Sequence, residues 1–181
     1  QHNIIDWLIK NRIEVVFPHL SEFFMQAFVN SKVSSKDFIN RKSGFTFITK
    51  IAEAIASAYI EKFDNALKKF RFYRKNENIN HLAKLASEIL SLNNQYGEGW
   101  LIPAGIASFA QKNINNVICL QPFGCIANHI VGKGMETKIK SIYPEINLLY
   151  LDFDSGISRV NVLNRLHFLI QNIEEEFIQK S

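Results

Sequence analysis

Cys119, Cys125 and His129 fall within eleven residues of one another, and these are the two cysteines of the whole 181-residue chain. Thiolates select iron–sulfur clusters or zinc, and imidazole joins them readily, so ligation is the first chemistry the segment suggests. Three ligands do not close a four-ligand site. Either the site is shared with residues outside this segment, or the cysteines are two small buried side chains at a strand–loop junction. The gap of five residues between them is wider than the two to four of most zinc pairs. A disulfide is disfavoured in a reducing compartment. His129 has three open roles, as ligand, as hydrogen-bond donor behind the ligands, or as a helix-start residue bonded to backbone.

Other polar groups belong to the same region. Pro122 and Gly124 shape the path between the cysteines, one by fixing φ and the other by permitting a tight turn. Gln121 opens the loop that carries Cys125. Asp152-Phe153-Asp154-Ser155-Gly156 places two acids after a second apolar run. Asp152 suits a magnesium ion or a ligand hydroxyl, while Asp154, Ser155 and Ser158 are good helix caps. Asn161, Asn164 and Arg165 follow near the start of the next helix, where Asn161 and Arg165 would brace the loops or touch substrate. Gly132-Lys133-Gly134 sits inside an expected helix and lacks the other glycines of a phosphate loop, so it is set aside. His2, His81 and His167 have no ligand-type company.

These groups need elements to hold them. Asn116–Leu120 and Asn147–Leu151 read as buried strands, and the helices expected at His129–Ile142 and Val160–Ile170 alternate with them. Strands separated by a helix pair in parallel through a crossover. A third strand is expected at Ile13–Phe17, closed by Pro18 and followed by a helix over His19–Asn30. In such sheets ligands gather beyond the carboxyl ends of the strands, which selects the loops after Phe17, Leu120 and Leu151.

Between these parts, Ile48, Ala52, Ile55, Tyr59, Phe63, Leu67 and Phe70 recur every three or four residues. They predict one long helix over Thr46–Tyr73, packed through that stripe on the next helix, Asn80–Leu92. A further helix starts at Trp100, where Pro103 is tolerated in the first turn. The expected fold is therefore α/β: a parallel sheet of at least three strands, flavodoxin- or Rossmann-like, with helices on both faces. Residues 1–30 and 97–181 form the α/β domain and 31–96 a helical insertion. The chain starts at Gln1 inside an apparent element, which reads as a fragment of a larger protein.

Composition bounds the functions. Apolar content of 47% suits a domain with a true core, and neither an eighteen-residue apolar run nor a signal peptide is present. The expected location is the cytoplasm, with no membrane partner. A net charge of +4 comes largely from Lys68, Lys69, Arg71, Arg74 and Lys75, interleaved with Phe70, Phe72 and Tyr73. That pattern can track nucleic acid, but without an accompanying motif it reads as the end of the long helix, its aromatics buried and its cations at the C-terminal dipole. No nucleic-acid partner is expected.

Taken together, Gly97-Glu98-Gly99-Trp100-Leu101, the stretch from Cys119 to Cys125, Asn128 to Gly134, Asp152 to Gly156, and Val160-Asn161 with Asn164-Arg165 resemble the C-terminal, dehydratase-subunit-like part of the large activase-related proteins of the 2-hydroxyacyl-CoA dehydratase system. The likeness is densest from Gly97 to Leu169 and extends to Glu14–Leu20. It implies a domain of an iron–sulfur, ATP-coupled electron-transfer protein. Cys119 and Cys125 would ligate a cluster whose other cysteines lie upstream, with His129, Gln121 and Asp152 around it. ATP would act only through an actin-like ATPase activase elsewhere in the polypeptide. An acyl-CoA or other small molecule would be the substrate, and this stretch alone would be inactive. The alternative is a non-catalytic ligand-binding or interaction module with buried cysteines; zinc-dependent structural closure is a third possibility.

Overall fold

The computed structural model describes residues 3–37, 43–154 and 156–180. Its centre is a pair of parallel strands, β1 (Asn116–Pro122) and β2 (Asn147–Phe153), in register from Asn116 beside Asn147 to Pro122 beside Phe153. Both are seven residues long and apolar on both sides. That pattern belongs to a strand covered on two faces, and helices do cover both.

On one face Val117, Leu148 and Tyr150 form a core with Leu85 and Ile89 of α4 (Ile79–Ile89), Ile106 and Ala107 of α5 (Leu101–Gln111), and Ile139 of α6 (Glu136–Ile142). On the other, Leu151 packs with Ile4 and Leu8 of α1 (Ile4–Lys10) and with Val162 and Leu166 of α7 (Arg159–Lys180). A third core lies among helices alone, where Met25 and Val29 of α2 (Leu20–Asp37) meet Leu82, Ala83 and Ala86 of α4 and the fully buried Trp100. The Trp100 indole donates to Asn30 Oδ1 at 2.7 Å, which satisfies the one polar atom buried with the ring. Since α4 contributes to the sheet core and to the helical one, the 31–96 stretch is anchored on the sheet through it.

The sheet has two strands among the described residues, not three. Ile13–Phe17 has no regular structure, although Ile13 and Val15 pack beside Ile118, Leu149 and Leu151. The segment is only half-buried, with Phe17 56% exposed, and its apolar residues lie against the sheet core without a ladder.

The long helix also differs from expectation. It is α3 (Ser43–Leu67), about 37 Å long at 1.5 Å per residue, and it ends before Lys68, with Phe70 and Tyr73 in successive turns. Its partner is α2, not α4. The residues turned inward are Glu53, Ala56, Ile60 and Asp64, with Lys32 bonded to Glu53 at 2.7 Å and buried Asp64 accepting from Tyr73 Oη and Asn76. The predicted stripe of Ile48, Ile55, Tyr59, Phe63 and Leu67 is exposed, as are Phe70 and Phe72. The helix carries two lines of helical spacing, and periodicity does not say which one meets a neighbour.

Candidate functional site

The site forms where β1 and β2 end together. Phe123 N–H still bonds to Phe153 O at 2.9 Å, after which the chain turns at once, with Cys125 N–H returning to Pro122 O at 3.0 Å. Gly124 at φ 75° occupies the third position of that turn, the left-handed place where a side chain is strained. The turn lifts Cys125 off the sheet edge and starts the following helix.

That helix starts with an α-type turn at Ile126 and Ala127 but does not continue as one. Asn128–Gly132 form a π-helical turn and Lys133–Met135 a 3₁₀ turn, and only then does α6 run regularly. One helix over His129–Ile142 was expected, and Gly132 at φ −84°, ψ −83° marks the break. The wide turn leaves Asn128 O able to accept from Gln121 Nε2 at 3.0 Å, and Gly132 O from Tyr150 Oη at 3.2 Å. π-turns of this kind collect at functional sites, because the widened ring re-aims the side chains it carries.

Three side chains are aimed here. Asn128 Nδ2 donates to Cys125 Sγ at 3.0 Å, and its backbone adds a second bond. Both favour the thiolate and pull the Cys125 pKa below the ordinary thiol value, against weaker opposition from desolvation and then from the Glu98 carboxylate. His129 Nδ1 lies 2.8 Å from Cys125 O, which makes Nδ1 the protonated nitrogen, since a carbonyl only accepts. Its Nε2 then faces Asp152 Oδ1 at 3.4 Å across the end of β2, near enough to pair when the imidazole is charged. Asp152 Oδ1 and Gln121 Oε1 are buried acceptors without a hydrogen-bond donor among the described residues. Gln121 is wholly enclosed, and Cα register sets it beside Asp152.

Cys119 is elsewhere in character. It alternates with Val117 and Gln121 on the α4–α5–α6 face, beside Tyr150. Burial, with Glu136 nearby, pushes its thiol up to about 12, and the same surroundings raise the Tyr150 hydroxyl. Both cysteines are free. Among the described residues no three His, Cys, Asp or Glu side chains gather to hold a metal ion. Cys125, partly exposed and favoured as thiolate, fits a soft-metal ligand. Cys119 in this arrangement is a buried neutral thiol.

Asn161 and Arg165 are exposed on α7, whose inward line is Val162, Leu166 and Leu169, and no hydrogen bond or ion pair joins them to the loop among the described residues. Asp154 follows β2 directly, and Ser155 lies outside the described residues. Two neighbours escaped the residue-by-residue reading. Asn128 is the donor to the thiol, a role visible only in the three-residue spacing from Cys125. The Gly97–Gly99 loop borders the site, with Gly97 close to Ala127. The chain matches no family model, no curated protein and no solved structure.

Proposed function

We propose that this chain is a domain of an iron–sulfur, ATP-coupled electron-transfer protein related to the 2-hydroxyacyl-CoA dehydratase system, and that Cys125 is the ligand it lends to a cluster completed by other segments of the polypeptide. The observation that carries the reading is the placement of Cys125, a partly exposed cysteine whose thiolate is favoured by Asn128, at the carboxyl edge of a parallel strand pair. Beside it His129 Nε2 and Asp152 Oδ1 face each other at 3.4 Å, a polar couple at the mouth of the loop. The family-like string supports the same assignment.

In this reading Cys119 holds its place by packing, and its neutral thiol keeps the loop's root dry. Residues 31–96 are an insertion into the α/β domain, and further strands from the parent extend the sheet toward a flavodoxin-like one. ATP enters only through an actin-like ATPase module, the substrate is an acyl-CoA or similar small molecule, and the parent works in the cytoplasm. When bound, the cluster would supply one-electron chemistry. The residues described here would hold it through Cys125 and orient its surroundings through His129, Asn128 and Asp152.

A second reading rests on Cys119 itself, whose burial is what an interaction module with inert cysteines requires. Anaerobic expression of the whole polypeptide, with iron and sulfide analysis, separates the two. Cys125→Ser is expected to lose cluster content and Cys119→Ser to retain it. Full cluster content in the Cys125→Ser protein refutes the proposal.

A further inference from the structure

The outward line of α3 has no packing partner among the described residues. Ile48, Ile51, Ile55, Tyr59, Phe63 and Leu67 run along the helix beside the residues that meet α2, and each is between 41% and 64% exposed. Phe70 and Phe72 continue the apolar surface past the helix end at 68% and 80%. With aromatic side chains of this size the line amounts to roughly 900 Å², above the 300–600 Å² of the largest patch on an ordinary monomer.

Charge says what kind of surface covers it. Residues 31–75 contain eleven Lys and Arg against four Asp and Glu, and the rest of the chain ten against thirteen, so this segment is +7 in a protein of +4. Lys50, Lys62, Lys68, Lys69, Arg71, Arg74 and Lys75 are all exposed, Arg74 pairing with Glu14; against them Asp64 is buried, Glu53 is paired with Lys32, and Glu61 is an exposed acid. Lys62 Nζ lies 5.5 Å from the Tyr59 ring centroid and the Arg71 guanidinium 5.3 Å from that of Phe72. Cationic heads on stems laid along apolar surface are the arrangement of side chains at a water–lipid boundary.

We propose that the outer face of α3 and the basic turn behind it bind the surface of an anionic phospholipid bilayer. The helix would lie in the plane of the interface, its apolar line among the acyl chains and its cations among the phosphates. A second copy is disfavoured because two such faces bring like charges together. A single-stranded nucleic acid is disfavoured because Ile48, Ile51 and Ile55 offer no ring for a base to stack on. Among the described residues no helix is long and apolar enough to cross a membrane. The expectation of no membrane partner came from the lack of such a span, and a helix lying on the surface does not need one.

The test is co-sedimentation of the chain with vesicles of phosphatidylcholine alone and of phosphatidylcholine with one third phosphatidylserine. Binding is expected to the second only and to fall with salt. Lys68→Ala with Lys69→Ala should weaken it about 25-fold, at roughly fivefold per cation removed. Ile55→Ser with Phe63→Ser, cations intact, should abolish it. All four positions are exposed, so unchanged thermal melting certifies each variant as folded. Equal binding to neutral vesicles, absence of binding to either, or full binding by the serine variant overturns the proposal. So does capture of a single-stranded oligonucleotide in place of the anionic vesicles.

Discussion

The two cysteines should react at very different rates, and the size of the difference follows from their surroundings. At pH 8 a thiol at its ordinary value of 9.0 is about one-tenth thiolate, whereas Cys119 at about 12 is ionised to about one part in 10⁴, a thousandfold deficit. A more basic thiolate is intrinsically more nucleophilic. With a Brønsted slope of about 0.4–0.5, three pH units restore roughly 20-fold, which leaves Cys119 about 50-fold slower than an ordinary thiol. Its packing beside Tyr150 slows it further, and the lowered value of Cys125 widens the gap from the other side. Iodoacetamide at pH 8, applied to the Cys119→Ser and Cys125→Ser single-thiol proteins and followed by mass spectrometry, measures each rate. In guanidinium the two should converge. Native rates within a factor of five of each other would refute the placement of Cys119.

Stability should decline in alkali. Cys119 and Tyr150 bind their protons more tightly in the folded protein, so both contributions are complete below about pH 9. Above that the unfolded chain releases its cysteine proton first, and stability falls by about 1.4 kcal/mol per pH unit toward pH 12, with Tyr150 adding above about 10. Urea midpoints for the native chain and Cys119→Ala should separate in slope between pH 9 and 10, and parallel curves there contradict the assignment. Two left-handed glycines should respond unequally to alanine. At Gly99, φ 47°, a Cβ would stand 2.2 Å from Asn94 O, while at Gly124, φ 75°, it meets nothing within 4 Å. Gly124→Ala should therefore cost about 1–2 kcal/mol of conformational strain, and Gly99→Ala clearly more through the added clash. Equal melting temperatures for the two variants would show that the backbone at Asn94 yields freely.

Much of the α/β frame was legible before any coordinates. Val117 to Leu120 and Leu148 to Leu151 are continuous apolar runs of strand length, and such runs need cover on both faces. Ile13–Phe17 is also rich in β-branched residues yet joins no ladder and is only half-buried, because a ladder needs a free sheet edge in register as well as strand-forming residues. The break in the helix after His129 was readable in Gly132 and Gly134 but not its π-helical form, which depends on where Asn128 O and Gly132 O find their donors.

The candidate site divides along the same line. Residue types alone put two thiols and an imidazole at a strand end, since β1 stops where Pro122 and Gly124 oblige the chain to turn. Only the tertiary structure separated the thiols, because strand alternation turns Cys119 into a core that α4, thirty residues upstream, closes together with α5 and α6, while the turn lifts Cys125 out beside Asn128. For α3 the sequence alone determined a long helix with an apolar line and a basic end. Which side faced the protein was decided by α2, whose contact fits the small Ala56 and the bonded Glu53 and Asp64, and so left the larger apolar side chains facing outward.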